Sequence, residues 1–551
     1  MIRRIFSLLS EKQRKRGIWV IFSMLVRSLL DFAGIAALVP VIFVIADKLG
    51  NERKLILLLC CGVILFVILK NCIILLLNRF QTKFQMGVYR DFSRRMFINH
   101  YDRGLMFLKK QSSMQLAFEV NGLCLTYSQG VLGSLFRIIG EAFLILIIVA
   151  ALIVWKPLMG VLAALLFLPV AAIYGKVIKK RVRKIGQASI EAQRVQSRTV
   201  AEAFRGYAEL EIADAFHTSL DAFDTNLNSI IRNRRSMEMF QLFPFFLSEM
   251  AVVAGLMILA LFGGDDLVVA GGVFAIAAFR IIPSVKSLMN NYTTLQNNAN
   301  VIEVMEKGLT PGGEYAIQDA EPSSEIAENP TEDFRDEYPL LEARELGFAF
   351  PDGEILFDNL DFKINKGDRI GIRGRSGAGK STLFNLLLGF FSPTKGEIRI
   401  NGRKLGSRLR RQWQDIVGYV PQEIFIIKGS LAENVALGQA EIDREKVMKV
   451  LEQVSLKEWT EALPEGLDTE LGEFGSRLSG GQKQRIGIAR ALYKGAEVLF
   501  FDEATSSLDS ATEKEINLAL EDLSKKYREL TMIIIAHRET SLGVCTKFID
   551  L

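Results

Sequence analysis

Six long apolar stretches in the first 300 residues constrain the fold more than any other feature of this 551-residue chain. They lie at Gly17–Ala46, Leu55–Asn78, Ile138–Trp155, Pro157–Gly175, Phe240–Gly264 and Leu267–Asn290. A helix needs about 20 residues to cross a hydrocarbon core of about 30 Å, so these stretches predict six transmembrane helices. The alternative, a soluble bundle of buried helices, fits poorly because Trp19 and Trp155 lie near the ends of such stretches, as is usual at membrane interfaces.

Charge divides the chain into two dissimilar halves. Residues 1–300 carry 35 basic and 19 acidic side chains, whereas residues 301–551 carry 32 and 43. This asymmetry excludes a single globular enzyme, a disordered protein and a fibrous repeat. It also argues against nucleic-acid binding, because the basic charge lies among membrane-length apolar stretches. The five cysteines form no CxxC pair, so neither a disulfide framework nor a zinc site is indicated.

The basic connections predict the orientation in the membrane. Arginine and lysine are concentrated in Met1–Arg16, Arg79–Gly133 and Lys176–Met239, and the other connections are short. Because positive charge is retained on the cytoplasmic side, both termini are expected inside the cell, with two large internal loops and three short external ones. The expected location is the bacterial inner (plasma) membrane, as a multi-pass protein.

Charged residues interrupt five of the six predicted spans. At about 1.5 Å per residue from the outer end of each span, the main ones lie about 20–24 Å deep, in the inner-leaflet half. They are Asp31, Lys70, Glu141, Glu249 and Arg280. Arg27 lies four residues before Asp31, a spacing that predicts an ion pair on one helix face. Arg137 and Glu141 share that spacing.

Lys70, Glu249 and Arg280 have no such partner on their own helices. A charge in hydrocarbon is costly, so each is expected to face the bundle interior or a water-filled cavity. One interpretation is a structural bridge between Glu249 and Arg280, or snorkelling toward the inner interface. The other is a polar substrate cavity that opens toward the inner leaflet, in which Arg280 is the best anion ligand because a guanidinium matches phosphate geometry.

An acidic stretch rich in proline, serine and glutamate, Gly308–Leu340, follows the predicted spans. It has no helical or strand periodicity, which predicts a linker. The predicted organisation is therefore a transmembrane domain at 1–307, a linker at 308–340 and a separate domain at 341–551.

A complete P-loop pattern follows the strand-like run Arg369–Arg373 and precedes a helical run. Its residues are Gly374, Arg375, Ser376, Gly377, Ala378, Gly379, Lys380, Ser381 and Thr382. The glycines let backbone N–H groups surround phosphates. Lys380 reaches the β- and γ-phosphates and Ser381 can ligate Mg²⁺. The pattern predicts nucleotide binding but does not distinguish kinases, GTPases and transport ATPases.

Two later motifs make that distinction. An LSGGQ sequence supplies Ser479, Gly480, Gly481 and Gln482. About twenty residues later the apolar strand Val498–Phe501 ends in Asp502 and Glu503. An aspartate at a strand end suits Mg²⁺, and the next glutamate is placed to polarise water.

With these motifs in this order, the region Leu341–Leu551 resembles the ABC ATPase family. The resemblance implies ATP and Mg²⁺ as cofactors. It assigns Gln422 to the Q-loop, where it would touch Mg²⁺, Asp509 to the D-loop, and His537 to the switch position at the γ-phosphate. Phe350 stands where the family usually has an adenine-stacking tyrosine, and stacking needs only a π-face.

The family also implies an assembly, because its signature motif faces the P-loop of a second nucleotide domain. One chain has one such domain, so the simplest assembly is a homodimer, and the intact Glu503 implies that both sites hydrolyse ATP. The family fold usually continues past a segment like Thr546–Leu551 with another strand and a glycine turn. The resemblance therefore implies a C-terminus that is truncated or naturally short.

Six spans ahead of the ATPase resemble the exporter architecture. The implied fold is an all-α, six-helix transmembrane domain of the type I or type IV ABC exporter kind, joined to an α/β P-loop domain. Coupling helices are expected near Leu105–Gln115 and Tyr207–Phe216.

Within exporters, Ser7–Asp47 and Phe279–Ser284 resemble bacterial lipid-linked oligosaccharide flippases of the PglK type, although the first external loop, Asp47–Lys54, is short for that type. This resemblance implies movement of a polyprenyl-pyrophosphate-linked glycan from the inner to the outer leaflet. Export of a peptide, drug or other lipid is the main alternative. An ATP-gated channel or sensor that does not pump is the other.

Overall fold

The computed structural model describes residues 1–39, 53–262, 267–310, 338–351, 353–375, 377–504, 510–536 and 542–551, with most positions between 158 and 179 described by backbone alone. The chain divides into two compact units. The first comprises Met1–Arg103 and Phe107–Glu314, and the second comprises Gly104–Met106 and Tyr315–Leu551. Each unit is described by itself.

The described chain before residue 311 is helical. Its helices are α1 (Ile2–Ser7), α2 (Glu11–Ala36), α3 (Arg53–Asp102), α4 (Gly104–Lys110), α5 (Ser113–Trp155), α6 (Pro157–Arg205), α7 (Tyr207–Ile212), α8 (Phe216–Phe262), α9 (Leu267–Asn297) and α10 (Ala299–Leu309). Local signals set several of the ends. Ser10 and Gln13 form a capping box at the start of α2, and Pro157 occupies the first turn of α6, where its missing N–H costs nothing. Helix α5 contains two π-helical segments, Glu119–Leu123 and Tyr127–Leu132.

Five helices among the described residues are long and apolar enough to cross a membrane. They are Glu11–Ala36, Leu57–Asp102, Ser113–Trp155, Phe216–Ile258 and Gly271–Asn297. The helical membrane domain predicted from the sequence is therefore confirmed. The predicted span Pro157–Gly175 lies in α6, where most side chains fall outside the described residues, so it stays a prediction. Short helices, α4 and α7, lie where coupling helices were expected.

The second unit is an α/β domain. Its strands are β1 (Leu341–Ala349), β2 (Ile355–Ile364), β3 (Arg369–Arg373), β4 (Lys395–Ile400), β5 (Arg403–Lys404), β6 (Val417–Val420), β7 (Val498–Asp502), β8 (Thr531–Ile535) and β9 (Lys547–Asp550). Its helices are α11 (Lys380–Leu387), α12 (Ser407–Ile416), α13 (Leu431–Val435), α14 (Arg444–Gln453), α15 (Lys457–Glu461), α16 (Gly480–Lys494) and α17 (Ser510–Lys526).

Two sheets organise this domain. One is antiparallel with strand order β2-β1-β4-β5, and the other is parallel with strand order β6-β7-β8-β3-β9. All five residues of β8 are buried, as expected for a central parallel strand covered on both faces. Because the strands are parallel, the carboxyl ends of β3, β6, β7 and β8 meet at one edge of the sheet, the usual position for ligand binding in such folds.

Candidate functional site

The loop between β3 and α11 has the backbone shape of a phosphate cradle. Gly374, Gly377 and Gly379 have φ angles of +155°, +83° and +95°, which side-chain-bearing residues rarely adopt. A Cβ on Gly379 would lie 2.5 Å from the Leu356 Cδ2 atom, so this position also requires glycine for space. A Cβ on Gly377 would have no neighbour within 4 Å, so one side of the loop is open.

The Lys380 side chain lies inside the loop and bonds to its backbone. Its side chain is buried, and its Nζ atom donates to the carbonyl oxygens of Gly374 and Arg375, each at 3.0 Å. The ammonium group and the amino end of the eight-residue helix α11 thus point at the same loop. Backbone N–H groups, a helix dipole and an ammonium together fit the phosphates of a nucleotide.

The first turn of α11 and the ends of two strands, β6 and β7, supply hydroxyl and carboxylate groups beside the loop. The Ser381 hydroxyl donates to Asp502 Oδ1 at 3.2 Å, and the Tyr419 hydroxyl donates to Asp502 Oδ2 at 3.4 Å. A carboxylate and a hydroxyl are the hard oxygen donors that Mg²⁺ prefers, so Ser381 and Asp502 fit this ion. Burial, followed by the nearby Asp502 carboxylate, raises the pKa of Tyr419 above its ordinary value, so the phenol stays protonated as a donor.

Glu503 follows Asp502 in a strained conformation. Its φ angle is +51°, and its backbone N–H donates to the Ile535 carbonyl of the neighbouring strand at 3.0 Å. The Gln422 Nε2 atom donates to Glu503 Oε2 at 3.3 Å. A non-glycine residue at positive φ costs of order 1–3 kcal/mol and is retained mainly where geometry matters for function. In this conformation the Glu503 side chain lies beside Gln422 of the Q-loop segment.

The LSGGQ motif forms the start of helix α16. Ser479 is the N-cap, and its hydroxyl accepts from the Gln482 N–H at 3.2 Å while the Gln482 side chain accepts from the Ser479 N–H at 2.8 Å. This capping box explains the serine and the glutamine in terms of helix initiation. Gly480 and Gly481 occupy the first turn between them.

A second polar cluster lies within the helical unit, around the Asp31 carboxylate. The Lys70 Nζ atom lies 3.3 Å from Asp31 Oδ1, and the Arg280 Nη2 atom donates to Asp31 Oδ2 at 2.7 Å. Arg27 is the third cation, with its Nε atom 3.9 Å from Asp31 Oδ2, and it also donates to Asn78 Oδ1 at 2.9 Å. Only 12% of the Asp31 side chain is exposed. Helices α2, α3 and α9 therefore converge on one carboxylate.

Comparisons with known proteins identify the family to which the second unit is similar. The family described as ABC transporter matches residues 357–506. The ATP-dependent lipid A-core flippase of Burkholderia pseudomallei (strain 1710b) is 29% identical over 475 residues, which cover 82% of this chain and 74% of the relative. The protein of the same name from Alkalilimnicola ehrlichii is 30% identical over 387 residues, covering 70% and 64%.

A solved bacterial Atm1-family ABC exporter with ATP bound has the same fold. Its TM-score is 0.78 at 21% identity, and the match covers 98% of this chain and 93% of that one. The chain is an ABC exporter half-transporter. It is a multi-pass membrane protein that binds ATP and couples ATP hydrolysis to transport, as the sequence predicted.

The structure describes most, but not all, of the exporter's predicted ATP-site residues. The structure brings together the P-loop, Gln422, Asp502 and Glu503 at one edge of the parallel sheet. Ser376, Asp509 and His537 lie outside the described residues, so their roles stay predictions. Phe350 is partly buried and packs edge-on against Phe348, with 5.3 Å between ring centroids.

One alternative interpretation and one expectation for the exporter's membrane domain are wrong. Arg280 does not bridge to Glu249: it binds Asp31, and Glu249 is exposed on α8. Arg137 does not pair with Glu141. Its Nε atom donates to Asn291 Oδ1 at 2.7 Å, and Glu141 Oε2 is buried with no hydrogen-bond partner among the described residues.

The sequence does not predict that one aspartate contacts three cations. The spacing of Arg27 and Asp31 predicts only their local ion pair, which is present at 3.9 Å. The sequence does contain a signal for this contact: Asp31, Lys70 and Arg280 have nearly the same predicted depth in the membrane. Tyr419 is not predicted as a site residue, although it lies three residues before Gln422.

Proposed function

We propose that this exporter flips an amphipathic lipid with a phosphate-bearing headgroup from the inner to the outer leaflet of the bacterial inner membrane. A lipid-linked oligosaccharide, carried on a polyprenyl pyrophosphate, is the substrate that we favour. The Asp31 cluster carries this proposal. Three cations surround one carboxylate, so the cluster has an excess of positive charge at the predicted depth of the inner leaflet.

The excess charge favours an anionic ligand. Charge inside a membrane domain is costly unless it is paired, so the two uncompensated cations gain from binding a phosphate or pyrophosphate. Arg280 is 31% exposed and Lys70 is 14% exposed, which leaves the guanidinium the more accessible of the two. The relatives named as lipid A-core flippases support a lipid-like cargo. Glu249, on the exposed face of α8, is the third candidate substrate residue.

The proposed ATP chemistry follows the geometry of the second unit. Lys380 and the P-loop amides would hold the phosphates of ATP, and Ser381, Gln422 and Asp502 would hold Mg²⁺. The bound ion would neutralise developing charge on the transferred phosphoryl group. Glu503 would orient and polarise the attacking water.

The proposed assembly is a homodimer. The LSGGQ residues of one copy would face the P-loop of the other, and Asp509 and His537 would complete each site. We place both ends of the chain and the ATPase domain in the cytoplasm, because the basic connections follow the positive-inside pattern.

The decisive experiment is ATP-dependent flipping in proteoliposomes. The substrate would be a fluorescent polyprenyl-pyrophosphate oligosaccharide, and the matched control lipid would have the same glycan and prenyl chain without phosphate. We expect flipping of the phosphate-bearing lipid alone, and its loss in Glu503→Gln. Hydrolysis of ATP without flipping of either lipid would reject the substrate assignment. Equal flipping of both lipids would reject the role of the Asp31 cluster.

A further inference from the structure

The Tyr419 side chain lies within reach of Asp502, the proposed Mg²⁺ ligand. It is in β6, and its register partner in β7 is Phe500. Successive residues of a strand alternate between faces, so Phe500 and Asp502 project from the same face of β7. A tyrosine opposite Phe500 is long enough to reach one residue further along this face, to the carboxylate.

The Tyr419 hydroxyl and the Ser381 hydroxyl each donate a hydrogen bond to a different oxygen of the Asp502 carboxylate. The first donates to Oδ2 at 3.4 Å and the second donates to Oδ1 at 3.2 Å. The terminal torsion of an aspartate is soft, so an unrestrained carboxylate turns easily. A donor on each oxygen restricts that rotation and keeps Oδ1 directed toward Ser381.

Packing holds the tyrosine ring in place independently of its hydroxyl. The ring contacts Phe390 edge-on, with 6.5 Å between centroids, and packs beside the apolar core of the parallel sheet. A phenylalanine at this position would keep these contacts and lose only the donor.

We infer that Tyr419 is a positioning residue for Mg²⁺: its hydroxyl orients Asp502 so that Oδ1 and the Ser381 hydroxyl can bind the ion together. This inference rests on the proposed metal role of Asp502. Partners that orient a metal ligand typically change metal affinity when removed. The 3.4 Å separation is long for such a bond, so we expect a smaller effect than the roughly 10- to 100-fold loss of metal affinity that is typical of such partners.

The test is Tyr419→Phe in the full-length Glu503→Gln protein, which we expect to bind ATP with little turnover. Radiolabelled ATP at a fixed concentration is incubated with increasing Mg²⁺, and the retained ATP is counted. We expect the half-saturating Mg²⁺ concentration to rise about three- to tenfold. ATP binding in EDTA is expected to stay unchanged. In the hydrolysing protein, Tyr419→Phe should raise the Mg²⁺ requirement of the ATPase while kcat at saturating Mg²⁺ stays within about twofold.

Tyr493→Phe is the matched control. Its hydroxyl accepts from the Asp443 N–H at 3.1 Å in the same domain, away from the P-loop. This variant should leave the Mg²⁺ dependence unchanged. An unchanged Mg²⁺ dependence in Tyr419→Phe would overturn the inference, as would an equal loss of ATP binding in EDTA. If Asp502→Ala also leaves Mg²⁺ dependence unchanged, the proposed metal role of Asp502 fails instead.

Discussion

The ATP site and the Asp31 cluster hold their charges in different ways. In the P-loop, Lys380 bonds to carbonyl groups five and six residues before it. In the membrane domain, Asp31 bonds to side chains 39 and 249 residues away. The first arrangement follows from local backbone shape, whereas the second exists only after three helices have packed. A local motif therefore forms the ATP site, whereas the Asp31 cluster is formed by tertiary packing.

The two sites also differ in how much stability is lost when a hydrogen-bond or ion-pair partner is removed. The P-loop faces water, which can replace a missing hydrogen bond. The Asp31 cluster lies in a membrane span, where little water is available to replace the lost partner of a charge. Substitutions should therefore separate a catalytic defect in one region from a folding defect in the other.

The largest expected effect is catalytic. Glu503→Gln should lower ATP turnover by at least about 100-fold, because the amide cannot accept a proton from water. ATP binding should stay within about twofold of wild type, since the shape of the side chain is kept. Phosphate release and filter binding of ATP measure the two quantities. Turnover near the wild-type rate would remove Glu503 from its proposed role and weaken the contrast between a catalytic ATP site and a structural Asp31 cluster.

The next effect is structural. Asp31→Asn should destabilise the detergent-solubilised protein by about 3 kcal/mol, because it leaves partly buried cations without their anion. A fall in the apparent Tm measures this loss, and Asp31→Glu is the charge-preserving control. An unchanged Tm in Asp31→Asn would show that the cluster does not stabilise the packing of the three helices.

A smaller effect should separate transport from hydrolysis. Arg280→Ala should reduce flipping about tenfold and leave basal ATPase activity within about twofold, since Asp31 keeps Lys70 as a partner. Arg280→Lys should recover part of the loss, because it restores the charge without the bidentate geometry. Flipping at the wild-type rate in Arg280→Ala would exclude this residue from the substrate path.

The smallest effect concerns adenine. Phe350→Tyr should change the KM for ATP by less than about twofold, because both rings offer a π-face, whereas Phe350→Ala should raise KM several-fold. Steady-state ATPase assays measure both. Equal KM values in Phe350→Ala and wild type would mean that the ring does not stack on the base.

The residues that were predictable from sequence share one property: their geometry is local. The P-loop glycines and the Asp502–Glu503 step depend on residues only a few positions away, so the sequence correctly predicts the strands, the loop and the helix around them. Asp31 could not be recognised as a shared partner, because Lys70 and Arg280 reach it only through helix packing. Tyr419 was hidden for a similar reason, since its reach to Asp502 depends on the register of two strands that are distant in sequence.

The capping box at Ser479 has a consequence for the repeated opening and closing of a transport cycle. A hydroxyl can accept and donate at the same time, and Ser479 accepts from its own helix through Gln482. Its proton stays available for an anion arriving from outside. Contact with a phosphate would thus add a bond without removing the one that begins the helix. A side chain that serves both partners at once would let the motif bind and release a phosphate many times without refolding.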